Sequence, residues 1–98
     1  MYNYIIHPIA QQEYETSIEW YAERSEQATR NFILNVEKAI EAICLHPHQF
    51  RNEYKIFYEL GIKKYSFSII YIIDDSDKIV VITSIFHHKR NPKKKYKK

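Results

Sequence analysis

The chain has 98 residues, 45% hydrophobic and 15% aromatic, with one glycine and three prolines, a composition that packs one core and excludes a disordered or collagen-like chain. Its single cysteine, Cys44, excludes an intrachain disulfide and a cysteine metal cage. The net charge of +3 hides an asymmetry: residues 1–88 hold eight Lys/Arg against all twelve Asp/Glu, whereas Lys89 onwards holds seven basic side chains and no acidic one, so a partner meeting this end should be acidic.

Residues 2–7 read as a short strand closed by Pro8, which cannot donate to a ladder but suits a first helical turn. Beyond it Ala10, Tyr14, Ser17/Ile18 and Tyr21 recur at three- and four-residue steps, while Gln11, Gln12, Glu13, Glu15, Glu19 and Glu23 fill other positions. This predicts an amphipathic helix ending near Arg24. Ser25 is the expected N-cap of a second helix and Glu26 complements its dipole. Ala28, Phe32, Val36, Ala39/Ile40 and Ile43 form its apolar stripe as far as about Leu45, before Pro47. With one or two residues between them, the helices must fold back as a hairpin.

Segments 56–60, 62–73 and 78–87 are rich in β-branched and aromatic residues and are separated by Gly61 and by Asp74-Asp75-Ser76-Asp77. They predict three sequential antiparallel strands. The expected fold class is α+β: an N-terminal strand, a helical hairpin and a three-stranded antiparallel meander, with the helices on one face of the sheet. One domain spans 1–92 and a basic tail follows at 93–98. Under period-two alternation the middle strand puts Tyr65, Phe67, Ile69, Tyr71 and Ile73 on one apolar face, to be covered by the helices. Lys64, Ser66 and Ser68, then Ile70 and Ile72, form the other face, half of which should be open to solvent or a partner.

Several residues carry chemistry worth locating. His87 and His88 are neighbours in a strand and point to opposite faces, so they do not chelate one ion and no metal site is expected. One should line the open face beside Lys64 and the other lie near the helices, with the register leaving the choice open. Lys63 falls on the side opposite Lys64, and a solvated sheet edge accounts for either lysine. Glu59 serves as a general base only if it faces the same cleft. Tyr96, set among lysines, can stack on a nucleic-acid base, although a lysine-rich end also serves simply as a solubilising terminus. Trp20 lies off the apolar stripe and either packs at the helix edge or makes a contact. Cys44 reads as a small buried helix residue, because no histidine stands at an activating position. Met1-Tyr2-Asn3-Tyr4 lacks a basic signal start, and no eighteen apolar residues run together. The expectation is a cytoplasmic protein without membrane contact.

The order strand, helix hairpin, meander, basic end resembles the RelE/ParE superfamily of toxins from type II toxin–antitoxin modules. The residues carrying the resemblance are His87-His88-Lys89-Arg90-Asn91-Pro92, similar to the His-x-x-Arg-Asn/Asp-Pro ending of many members, and Ile69-Ile70-Tyr71, like the apolar-apolar-Tyr of the central strand. Ile18-Glu19-Trp20-Tyr21 and the Pro47 ending of the second helix also match.

The resemblance implies one of two activities. The RelE-like branch cuts messenger RNA on the ribosome by 2′-hydroxyl attack on the adjacent phosphate, chemistry that needs cations or donors at the developing charge. Its members carry an Arg three residues before the central-strand Tyr, and here that position is Ser68. A compensating catalytic set would be drawn from Lys63, Lys64, His87, His88, Arg90 and Tyr96. The ParE-like branch poisons DNA gyrase by binding it and has no nuclease centre. The missing Arg and the His-x-x-Arg-Asn-Pro ending bring the chain closer to ParE. The resemblance thus implies a plasmid-stabilisation-like toxin that arrests growth by binding a target such as DNA gyrase, with a ribosome-dependent mRNA endonuclease as the alternative. A cognate antitoxin with an acidic, amphipathic segment would neutralise it. The expected contact residues are Lys64, His87, Lys89, Arg90, Asn91, Lys93, Lys94 and Lys95, and no cofactor is expected.

Overall fold

The fold, given by a computed structural model, is described for residues 1–88. The chain runs β1 (Asn3–Ile6), α1 (Pro8–Ala22), α2 (Glu26–Leu45), β2 (Arg51–Tyr54), β3 (Phe57–Ile62), β4 (Phe67–Asp74) and β5 (Ile79–His87), with 3-10 turns at Pro47–Gln49 and Lys63–Tyr65. This is the expected α+β order. The strands form one mixed sheet in the order β1-β5-β4-β3-β2, with β1 parallel to β5 and every other pair antiparallel. The start of the basic end, Lys89 to Pro92, and the tail 93–98 lie outside the described residues.

Local chemistry sets the helix limits. His7 is extended and its Nδ1 accepts from the Ile9 amide at 3.1 Å, so it caps α1 just ahead of Pro8. Ser25 caps α2 as expected, its Oγ accepting from the Ala28 amide at 3.1 Å, with Glu26 in the first turn. The stripe of α2 is buried at Phe32, Val36, Ala39, Ile40, Ile43 and Cys44. It meets Phe67, Ile69 and Tyr71 of β4 and Val80, Ile82 and Ile85 of β5 in one core, against which Tyr14, Ile18 and Tyr21 of α1 pack. Each fully buried large side chain contributes about 1.5–3 kcal/mol. Phe32 is the aromatic hub, with ring centroids 4.8 Å from Tyr21 and 5.0 Å from Phe67.

Three details depart from the sequence reading. A short strand, β2, precedes the meander. Its residues Arg51-Asn52-Glu53-Tyr54 have no apolar alternation, as suits an outer strand that buries little. The break between the expected strands 56–60 and 62–73 falls not at Gly61, which lies inside β3 with Ile62 as its last residue, but at 63–66: Lys63–Tyr65 form a 3-10 turn, and Ser66 adopts φ 53°, a left-handed backbone that breaks the ladder before Phe67. Lys64 and Ser66 therefore do not alternate with Ser68. Finally, the face opposite the helices is closed where it was expected to be open, since Ser68 and Ile70 are fully buried and Phe57 and Phe86 are nearly so. Ser68 is small and stands in register between Gly61 and Phe86, so its own polarity does not bring it into water.

Candidate functional site

The histidine pair marks where β5 ends, and alternation separates the two rings as the sequence predicted. The structure also settles which goes where. His88 turns toward the face opposite the helices: its amide donates to the Ser66 carbonyl at 2.9 Å, and its Nε2 lies 2.8 Å from the Ser68 hydroxyl. The left-handed turn at Ser66 is what presents that carbonyl. Phe86 meets the His88 ring edge-on at 5.5 Å. His88 is exposed while Ser68 is wholly buried, so the imidazole covers the serine from the solvent side. The strand position at which a nuclease of the resembling branch would carry Arg is thus filled by a buried, neutral hydroxyl whose partner is a histidine.

Glu59 shares this face. It stands opposite Ile70 in register, two residues from Gly61, which stands opposite Ser68. Lys64 is exposed on the 3-10 turn, its Nζ 5.8 Å from the Tyr65 ring centroid, and Lys63 belongs to the same turn, outside the strand alternation expected for both. The other sequence-predicted residues, Lys89, Arg90, Asn91, Lys93, Lys94, Lys95 and Tyr96, lie outside the described residues.

His87 takes the opposite side, toward α1, with its ring centroid 6.4 Å from that of Trp20. Between α1 and the end of β5 lies a cleft of about 180 Å³, lined by Gln12, Glu13, Thr16, Ser17, Ile85, Phe86 and His87. Its floor depends on a residue the sequence reading placed on a polar helix face. One oxygen of Glu13 accepts from the Ser84 hydroxyl at 2.8 Å and from the Ile85 amide at 2.9 Å. Because β1 pairs with β5 only as far as Ile82, the Glu13 carboxylate takes the place of the next strand's carbonyl. Burial pushes the Glu13 carboxyl above its ordinary range, and the two hydrogen bonds oppose the shift. No sequence periodicity signals this role, since it arises only where α1 crosses the sheet edge.

A second polar cluster, also unforeseen, sits near the opposite end of β5. Asp75, in the turn before β5, accepts from the Tyr2 hydroxyl and lies 2.9 and 3.1 Å from His48 Nε2 through its two oxygens. The Tyr2 hydrogen bond, then that of His48, holds the Asp75 carboxyl below its ordinary value. The Tyr58 hydroxyl is 3.5 Å from His48 Nδ1, and the buried Tyr71 hydroxyl donates to the Pro47 carbonyl at 2.6 Å. Cys44 is buried in α2, and burial raises its thiol pKa, which fits a packing residue. Among the described residues no three His, Cys, Asp or Glu side chains gather as a metal site, and no helix is long and apolar enough to cross a membrane.

The architecture is that of a RelE-like toxin fold. The chain is similar to the isolated E. coli RelE toxin, at TM-score 0.63 and 11% identity over 89% of this chain and 84% of that one. It is equally similar to a chain of the intact E. coli RelBE toxin–antitoxin complex, at TM-score 0.63 and 11% identity over 88% and 95% of the two. Identity this low carries the fold and nothing finer. No curated protein matches the sequence. The family is fixed by the sequence itself: residues 4–92 match the ParE toxin of the type II toxin–antitoxin system, parDE, and the chain belongs to that family.

Proposed function

We propose that this toxin arrests growth by binding a cellular target without cutting RNA, that DNA gyrase is the target, and that a cognate antitoxin holds it inactive. The observation carrying the binding reading is Ser68. Stabilising a pentavalent phosphate calls for charge or strong donors aimed at it, and the position expected to supply them is a fully buried serine bonded to His88. The RelBE complex, whose toxin shares this fold, supports pairing with an antitoxin. The asymmetry of charge between residues 1–88 and the seven cations that follow supports an acidic antitoxin segment.

The single-domain reading of 1–92 belongs to the same proposal, with Lys64, His87, Lys89, Arg90, Asn91 and Lys93 to Lys95 as the contact residues. One observation favours the rival, a ribosome-dependent RNase: the Ser68 bond gives His88 a fixed position, Glu59 shares its face, and a positioned imidazole is an effective general acid or base.

The test is purified toxin added to a translating extract and, separately, to a gyrase supercoiling reaction. Intact messenger with inhibited supercoiling is the expected result. Cleaved messenger, lost on His88→Ala, would overturn the binding reading in favour of the enzyme, and intact messenger with unaffected supercoiling would remove gyrase as the target.

A further inference from the structure

Among the described residues the sheet ends in two edge strands, β1 and β2, and they are built differently. Both are four residues long, so length does not distinguish them. β2 carries Arg51 and Glu53, and its pairing with β3 shifts between Asn52 and Tyr54. Charge and irregular register are devices that keep an edge from accepting another strand. β1 has neither: its sequence is Asn3-Tyr4-Ile5-Ile6, and it pairs with β5 without a shift. Tyr4 and Ile5 are 50% and 52% exposed there.

The hydrogen bonding of β1 decides what this edge can accept. The Asn3 amide donates to the Lys78 carbonyl at 3.0 Å and the His7 amide to the Ile82 carbonyl at 2.9 Å. Alternate residues, Asn3, Ile5 and His7, therefore turn their backbone toward β5, and Tyr4 and Ile6 turn theirs outward. A second copy of β1, running antiparallel, satisfies those two residues in one register. Centred on Ile5, Tyr4 of each copy stands opposite Ile6 of the other, and four hydrogen bonds form across the axis. Centred on Tyr4, the pairing brings Tyr2 opposite Ile6, but the Tyr2 amide is already spent on the Cys44 carbonyl at 2.9 Å. Centred on Ile6, it brings Pro8, which has no amide, opposite Tyr4.

The side chains favour the same register. The two Ile5 residues face each other at a non-hydrogen-bonded position, where Cα atoms approach to about 4.5 Å. The start of α1 in the second copy, Pro8 and Ile9, comes level with Tyr2 and Met1. There lies a groove of about 610 Å³ lined by Met1, Tyr4, Glu37, Ile40, Glu41 and Cys44. Ile9 is 42% exposed, and α1 has no acidic residue in its first turn. Glu37 and Glu41 of one copy are thus the carboxylates on the side approached by the positive end of that helix in the other.

We infer that the β1 strands of two copies pair antiparallel about Ile5, so that the partner at this edge is a second copy of this chain and two five-stranded sheets become one. The inference goes beyond the proposed function and does not rest on it. β1 flanks β5 at Ile79 to Ile82, which leaves the His87 end of β5 outside the pairing.

Sedimentation equilibrium of the full chain alone, at concentrations up to about 100 μM, should show a monomer–dimer equilibrium, as suits an interface at the small end of the size range. Ile5→Lys sets like charges on the axis and should weaken association by about tenfold or more, with the circular dichroism unchanged. In a Cys44→Ala background, Ile5→Cys should oxidise to a disulfide-linked dimer, because the facing Cα atoms lie within disulfide reach. Asn3→Cys, whose two copies stand four residues apart in this register, should not. A chain that stays monomeric throughout overturns the inference. So does association that Ile5→Lys leaves intact, or Asn3→Cys cross-linking as readily as Ile5→Cys. A monomer whose antitoxin binding is lost on Ile5→Lys would assign the edge to the antitoxin and overturn it as well.

Discussion

Replacing Glu13 by Ala should be one of the most damaging changes available on α1, although the residue sits on a mainly polar helix face. One of its oxygens satisfies both the Ser84 hydroxyl and the Ile85 amide, at 2.8 and 2.9 Å, where β5 has run past its last β1 partner at Ile82. Hydrogen bonds to a charged group contribute roughly 1.5–3 kcal/mol each, and an amide left buried without a partner costs about 1–3 kcal/mol. The two bonds share one acceptor that is half exposed, so the lower ends apply and a total loss of about 2–3 kcal/mol is expected. With a urea slope of about 1 kcal/mol/M for so small a chain, the unfolding midpoint should fall by about 2 M, read from the emission of the single tryptophan. Glu13→Gln keeps a carbonyl acceptor of the same shape and should recover most of the loss. The pH dependence has a definite sign. Burial raises the folded carboxyl above the ordinary 4.5, so the stability of the parent relative to Glu13→Gln is greatest below pH 4.5 and declines as the pH rises through the folded value. An Ala variant within about 0.5 kcal/mol of the parent, the size of an ordinary surface change, or a Gln variant as damaged as Ala, would refute the capping argument.

Two further outcomes follow from the tyrosines. Tyr71→Phe leaves the Pro47 carbonyl without its 2.6 Å donor and should cost about 1–2 kcal/mol by thermal or urea unfolding. Burial, then the neighbouring Tyr58, pushes the Tyr71 hydroxyl well above 10, so its stabilisation is complete below pH 10 and is lost as the pH rises beyond that. A spectrophotometric titration should show one tyrosine that ionises only on alkaline unfolding. Tyr2→Phe removes the larger cause holding the Asp75 carboxyl below 3.8. The Asp75 carbon resonance should then titrate at higher pH than in the parent, whose Asp75 contribution is present above pH 3.8 and is lost as the pH falls through the folded value.

Much of the fold was legible because the relevant signals are local. The Ser25 cap, the α2 stripe from Phe32 to Ile43 and the alternation of Phe67, Ile69 and Tyr71 each follow from a periodicity or a single side chain, and the structure repeats them. The sequence also separated His87 from His88 by alternation but could not say which faced the helices, since that depends on the pairing of β4 with β5. β2 escaped notice because an edge strand needs no apolar pattern. Lys64 and Ser66 were misplaced because a 3-10 turn and one left-handed serine interrupt what reads as a continuous strand. The same loss of local information hid Glu13, Arg24 and Asp75, whose partners lie across an element boundary or as far as 73 residues away.

The sequence by itself determined the order of the first strand, the helical hairpin and the three meander strands, the apolar stripes packed between helices and sheet, and the charge division at residue 88, because periodicity and composition are properties of neighbours along the chain. Only the tertiary structure decided that Ser68 is buried under His88, that the Glu13 carboxylate completes the edge of β5, and that His87 lines a cleft against α1 with its ring beside Trp20. Those facts depend on register and on where a helix crosses a sheet, and register is set by the packing of the whole chain.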